Sequence, residues 1–275
     1  MTDPRGQLPP LRDIIARYDL GAKKSLGQHF LLDQNLTDRI ARAAGDLSNV
    51  SVIEIGPGPG GLTRSLLASN PHQLYTIERD RRCIEALGEL NLAFPGKLTI
   101  VSADALKTDI STLGNSPRRI VANLPYNIST ALLINWLKQL AHINRMTLMF
   151  QKEVVERIIA IPSTKAYGRL SVITQWLCET NFEFNVDKRA FTPPPKIMSS
   201  VLTLKPRAEP LYSARFEDME TVTAAAFGQR RKMLRSSLKS LDVDIEALGI
   251  DPTARAENLT IEEFCLLAKA MEERG

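Results

Sequence analysis

Two stretches of this chain carry residue types at spacings that can do chemistry. The first is Glu54-Ile-Gly56-Pro-Gly58-Pro-Gly60-Gly61, with four glycines in six residues. Glycines permit a tight turn and let a backbone approach a ligand closely. Gly56, Gly58 and Gly61 fit the GxGxxG spacing of dinucleotide sites. Gly56, Gly58 and Gly60 fit a second pattern, GxGxG with an acid two residues ahead. A pyrophosphate wants N–H donors and no nearby anion, yet Pro57 and Pro59 remove two N–H groups and Glu54 adds an anion. S-adenosylmethionine has no phosphate and carries a cationic sulfonium, so the loop favours a methyl donor. Glu78, 22 residues after Gly56, can accept both hydroxyl hydrogens of a ribose. Asp104, in Ser102-Ala-Asp104-Ala, can accept from an adenine amine. Both ligand classes contain ribose, so these acids do not separate them.

The second stretch is Asn123-Leu124-Pro125-Tyr126. The lone pair of an exocyclic amine on a nucleobase is delocalised into the ring, so the amine is a poor nucleophile. The Asn123 side-chain oxygen and the Leu124 carbonyl can hold its two hydrogens and turn the lone pair toward an electrophilic carbon. Tyr126 offers a ring for a flipped base, worth about 1–3 kcal/mol of stacking. Phe191, presented before Pro193-Pro194-Pro195, can close the other face.

These residues need elements to position them. Short apolar runs begin near Val50, Gln73, Lys97, Arg118 and Arg145, with helical patterns such as Leu62, Leu66 and Leu67 between them. That alternation predicts an α/β fold: a Rossmann-like parallel sheet with helices on both faces. Glu78, Asp104 and Asn123 then fall at carboxyl ends of strands, where such sheets bind ligands. Residues 11–45 read as helices, with Asn35 capping Leu36 to Ala44, and a polar connector spans residues 21–31. A helix is expected from Lys152 to about Ile161 and another from Gly168 to Glu179, then strands near Phe182–Asp187 and Ser199–Lys205. Phe216–Phe227, Gln229–Leu241 and Ile261–Glu272 read as helices. The expected division is residues 1–207 as a methyl-donor domain with an N-terminal helical segment, and residues 208–275 as a small all-helical domain.

Composition excludes several classes. The chain is 44% hydrophobic and 24% charged over 275 residues, which rules out disorder, collagen and coiled coil. No apolar stretch is long enough to span a bilayer, and no secretory signal is visible. Cys83, Cys178 and Cys265 lie far apart, as do His29, His72 and His142, so neither disulfide nor metal is expected, and the compartment is cytosol-like. Net charge is +4. Arg230, Arg231, Lys232, Arg235 and Lys239 occur with no acid over residues 228–240, whereas residues 241–275 hold nine acids against three bases. Arg231, Arg235 and Lys239 recur every four residues, so a helix would place them on one flank facing a polyanion.

With those residues in place, the chain resembles the bacterial small-subunit ribosomal RNA adenine dimethyltransferase family of class I methyltransferases. The matching stretches are LGQHFLLD (26–33), EIGPGPGGLT (54–63), IERD (77–80), NLPYNIST (123–130), FQKEVVERI (150–158), KAYGRLSV (165–172), FTPPPKI (191–197) and QRRKMLRSSL (229–238). The resemblance implies transfer of four methyl groups from S-adenosylmethionine to N6 of two adjacent adenosines in a hairpin loop near the 3′ end of small-subunit RNA. It also implies a link to kasugamycin sensitivity and a part in subunit biogenesis, by a cytoplasmic, monomeric enzyme. Cofactor contacts carry over to His29, Leu31, Gly56, Glu78, Asp104 and Asn123. Target-base contacts carry over to Asn123, Leu124, Tyr126 and Phe191, and RNA contacts fall on Arg230, Arg231, Lys232 and Arg235. Many members have Asn where this chain has His29. Three alternatives stand beside this reading: a large-subunit RNA methyltransferase of the macrolide-resistance type, a nucleotide-dependent oxidoreductase, and a non-catalytic assembly factor.

Overall fold

The computed structural model describes residues 4–21 and 29–272; residues 22–28 of the polar connector lie outside the described residues. The first elements are α1 (Leu11–Arg17), β1 (Phe30–Leu31), α2 (Gln34–Ala43), β2 (Ser51–Ile55), α3 (Gly61–Ala68), β3 (Gln73–Glu78), α4 (Arg81–Gly88), α5 (Leu90–Ala93), β4 (Leu98–Ser102), β5 (Arg118–Asn123), α6 (Ser129–Leu137) and β6 (Arg145–Gln151). There follow α7 (Lys152–Ile158), α8 (Arg169–Leu177), β7 (Cys178–Val186), β8 (Phe191–Thr192), β9 (Ser199–Pro206), α9 (Phe216–Gly228), α10 (Leu234–Ser237) and α11 (Ile261–Glu272).

Seven strands form one sheet in the order β4-β3-β2-β5-β6-β9-β7. Strands β2 to β6 pair in parallel, joined by crossovers long enough to hold helices. The fold is thus the expected Rossmann-like α/β sheet, made mixed by β9. That strand runs antiparallel to β6, from Met146 opposite Leu204 to Gln151 opposite Ser199. Every residue of β2 is buried, as in a sheet covered on both faces. Ile40, Leu66, Leu74, Leu87, Val121 and Val201 share one core cluster around it. The strand order reverses at β2, which has β3 on one side and β5 on the other. A crevice opens there at the carboxyl ends.

The cap of α2 is Asp33, not Asn35. Its Oδ1 accepts from the N–H groups of Asn35 and Leu36 at 2.9 and 3.4 Å, leaving Asn35 inside the first turn. A two-residue antiparallel ladder that the sequence pattern does not announce pairs β1 with β8, setting Phe30 opposite Thr192 and Leu31 opposite Phe191.

The chain divides into two compact units, residues 1–152 with 181–205 and residues 153–180 with 206–275. One break falls near 206, where the strands end, and residues 153–180 group with the C-terminal helices rather than with the sheet. The Trp176 indole donates to the Tyr212 carbonyl at 2.7 Å, and the Leu211 N–H donates to the Trp176 carbonyl at 2.9 Å. In this unit α7 stops at Ile158, short of Pro162. The Gln175 side-chain amide donates to the Ile158 and Ala160 carbonyls at 2.7 and 2.8 Å, taking acceptors a longer helix would use itself.

The expected helix over Gln229–Leu241 is broken. Residues 229–232 form turns, α10 spans only Leu234–Ser237, and a 3₁₀ turn covers Lys239–Leu241. Met233 bridges Arg255, and the N–H groups of Leu234 and Arg235 donate to the Ala254 and Pro252 carbonyls at 2.9 and 3.0 Å. These tertiary bonds replace the helical ladder. Arg231, Arg235 and Lys239 therefore do not share a continuous helix flank.

Candidate active site

Four strand ends converge on one open cleft of about 1030 Å³, counting the solvent at its mouth. Its lining includes Leu31, Glu54, Gly56, Glu78, Asp104 and Asn123. The convergence follows from the parallel sheet, which sends the ends of β2, β3, β4 and β5 to one edge.

The glycine loop turns from β2 into α3. Gly58 has φ +56° and its N–H donates to Glu78 Oε2 at 3.2 Å. A Cβ on Gly61 would lie 2.3 Å from the Leu31 carbonyl oxygen, so α3 packs against β1 at its first residue. The loop's glycines thus serve the protein's own packing as well as the cleft. Glu78 is buried, and its Oε1 accepts from the N–H groups of Arg79 and Asp80 at 2.8 and 2.9 Å. Three backbone donors orient this carboxylate. Asp104 Oδ1 accepts from the Leu106 N–H at 3.0 Å, and its other oxygen lies 3.8 Å from Arg79 Nη1.

Glu54 departs from the sequence expectation of an anion at the strand end. It is 1% exposed, and its Oε2 has no hydrogen-bond partner among the described residues. Burial pushes its carboxyl up to about 8, and the Glu78 carboxylate adds to it. Burial in this cleft thus favours the neutral form of the carboxyl.

Asn123 ends β5. Its Nδ2 donates to the His29 carbonyl at 3.1 Å. A carbonyl only accepts, so the amide orientation is determined and Oδ1 remains its acceptor. Among the described residues nothing donates to the Leu124 carbonyl. The Tyr126 hydroxyl pairs with the Ser199 hydroxyl at 2.5 Å, a partner no sequence signal marks. Burial holds the Tyr126 phenol above its usual range, with Ser199 opposing. The Tyr126 ring stacks on His29, centroids 5.4 Å apart at 28°. Phe191 is 2% exposed, and its ring meets His29 edge-on at 6.4 Å and 82°.

The structure thus gathers every sequence-selected cleft residue into one region, Phe191 arriving through the β1–β8 ladder. The basic residues belong to the other unit. There Arg230, Arg231, Lys232 and Arg235 are all exposed, and Arg230 donates to Glu257 at 2.9 Å and to the Lys165 carbonyl at 2.6 Å. Among the described residues no group of His, Cys, Asp and Glu is arranged to hold a metal, and no helix is long and apolar enough to cross a membrane.

A glycine turn and two oriented acids at the ends of parallel strands put this cleft where class I methyltransferase-like α/β sheets bind their ligands. The ribosomal RNA adenine dimethylase family model matches residues 20–273, and the chain belongs to that family. It is similar to ribosomal RNA small subunit methyltransferase A of Paramagnetospirillum magneticum, 63% identical over 270 residues, covering 97% of this chain and 96% of that protein. Among solved structures it is similar to a dimethyladenosine transferase from Plasmodium falciparum, with TM-score 0.76, 26% identity, and 90% and 98% of the two chains covered. It is also similar to the 23S rRNA methyltransferase ErmE, with TM-score 0.67, 29% identity, and 88% and 99% covered.

Proposed function

We propose that this protein transfers methyl groups from S-adenosylmethionine to N6 of two adjacent adenosines in a loop near the 3′ end of small-subunit ribosomal RNA. The observation that carries the reading is the Asn123 amide. Its nitrogen is committed to His29 and its oxygen is left as an acceptor beside the Leu124 carbonyl, at the edge of a cleft lined by oriented acids. The small-subunit relative at 63% identity supports this substrate over the large-subunit alternative, represented by a structure at 29%.

The cleft suits the methyl donor. Glu54 Oε2, buried on the cleft lining and without a partner among the described residues, leaves a polar atom for a ligand group to satisfy. Glu78 is set to take a ribose diol and Asp104 an adenine amine, while Gly56 keeps the loop close and the His29–Leu31 segment borders the cleft. When bound, S-adenosylmethionine supplies an electrophilic methyl carbon.

The chain's own residues supply position. Asn123 Oδ1 and the Leu124 carbonyl accept the two N6 hydrogens, which localises the nitrogen lone pair and aims it. Fixed geometry of this kind lowers a barrier by several kcal/mol. Tyr126, held by Ser199, is the platform for the flipped base, and Phe191 borders the other side. No strong base is needed, because the N6 proton becomes acidic once the nitrogen is alkylated. Unpaired loop adenosines cost little to extrude. In the helical unit the exposed Arg231, Lys232 and Arg235 contact phosphates.

The test is direct. Undermethylated small subunits incubated with labelled donor are digested to nucleosides. N6,N6-dimethyladenosine in the small-subunit RNA is the expected product. Label on another base, or on large-subunit RNA alone, overturns the assignment.

A further inference from the structure

The His29 ring, partly exposed, contacts two of the residues assigned to the target base. Its ring stacks on Tyr126 and meets Phe191 edge-on. Its Nδ1 lies 2.8 Å from the Pro193 carbonyl, which only accepts, so Nδ1 carries the proton and donates. Its own carbonyl accepts from Asn123 Nδ2. A planar, hydrogen-bonding ring of the protein thus stands against both aromatic walls, with its main chain on the amide that reads N6.

We propose that His29 is an internal plug of the base slot, an imidazole standing in for the adenine that must withdraw before a base can stack on Tyr126. The inference rests on the reading of Tyr126 and Phe191 as the walls of that slot. The physical logic is substitution. An open slot would expose the Tyr126 face to water, and the imidazole stacked on it covers that face. Its contacts are of the kind a base makes: a stack, an edge contact and one donated hydrogen bond. Withdrawal frees the Tyr126 face and the Pro193 carbonyl together. Only the plug-free fraction of the protein accepts RNA, so the apparent affinity for the base is reduced by that fraction.

The chain has three histidines, so its imidazole spectrum is simple. The full-length protein is labelled with ¹³C-histidine, and the signal lost in His29→Gln identifies this residue. In the free protein the His29 ring protons are expected upfield, shielded by Tyr126 and Phe191. A saturating hairpin RNA with two loop adenosines is expected to move them downfield to the position of an exposed histidine. A His29 signal unshielded in the free protein, or unmoved in an RNA complex that is methylated at N6, overturns the plug and leaves the proposed function standing. Failure to form dimethyladenosine overturns the function, whatever the signal does. Kinetics give a second arm, with donor affinity followed separately by calorimetry. His29→Ala and His29→Asn are expected to lower KM for undermethylated small subunits by about threefold or more. A KM unchanged or raised in both variants, at equal donor saturation, overturns the plug.

Discussion

Glu54 and Asn123 show how much of this site is decided atom by atom. Asn123 is useful because of which end of its amide is spent: the nitrogen faces a carbonyl, so the oxygen is the one available to an amine. Asn123→Ala is expected to lower methyl transfer by about 100-fold or more, the scale of a lost positioned hydrogen bond in a transition state. Donor affinity measured by calorimetry should stay within a few-fold, and near-normal transfer by the variant would remove the residue from its role. For Glu54 the consequence is a pH dependence of stability. Burial raises its folded-state pKa to about 8, above the ordinary carboxylate value. Its contribution is therefore whole at pH values below the ordinary carboxylate range and is lost as pH rises through about 8. Glu54→Gln is neutral throughout. The Tm of the wild type relative to this variant should fall from about pH 5 to about pH 8 and level off above it, and a difference flat across that range would show that burial does not govern the group.

Among the elements, the two shortest strands bring the most distant segments together beside the cleft. The ladder of β1 with β8 ties a residue near position 30 to one near position 191 and brings Phe191 beside His29. It rests on α3 through Gly61, where a methyl group would meet the Leu31 carbonyl. Gly61→Ala is expected to destabilise the fold by about 1–3 kcal/mol, the usual cost of overpacking. The urea midpoint measures this, and a midpoint equal to the wild type would mean that β1 yields freely. The strand–helix alternation was legible in the sequence because helix and strand periods are local. The ladder was not, because neither Phe30-Leu31 nor Phe191-Thr192 is long enough to show a period. The break in Gln229–Leu241 was hidden for a related reason: the bonds that interrupt it come from residues 252–255.

At the scale of the molecule, the basic turn and the acid-rich stretch over residues 241–275 lie in the same unit. The basic turn keeps its exposed cations, while Arg230 is held by Glu257 and the Lys165 carbonyl. Replacing Arg231 and Arg235 together by Ala is expected to weaken RNA binding and to reduce the slope of log affinity against log salt by up to about 2, near one for each lost phosphate contact. An identical slope would return both side chains to the role of solvated surface. Neighbouring Arg230→Ala should instead cost local stability, because it leaves the Lys165 carbonyl without its donor.

Residue order alone carried the alternating elements, the glycine turn, the acids at successive strand ends and the Asn-Leu-Pro-Tyr edge, together with the family they resemble. Each is written in neighbouring residues or in a repeat of fixed length, so each survives reading along a line. Three things waited for the packed chain: the raised proton affinity of Glu54, the direction of the Asn123 amide and the meeting of His29, Tyr126 and Phe191. Burial and non-local hydrogen bonds decide all three, and both depend on which distant segments the topology brings within a few ångströms.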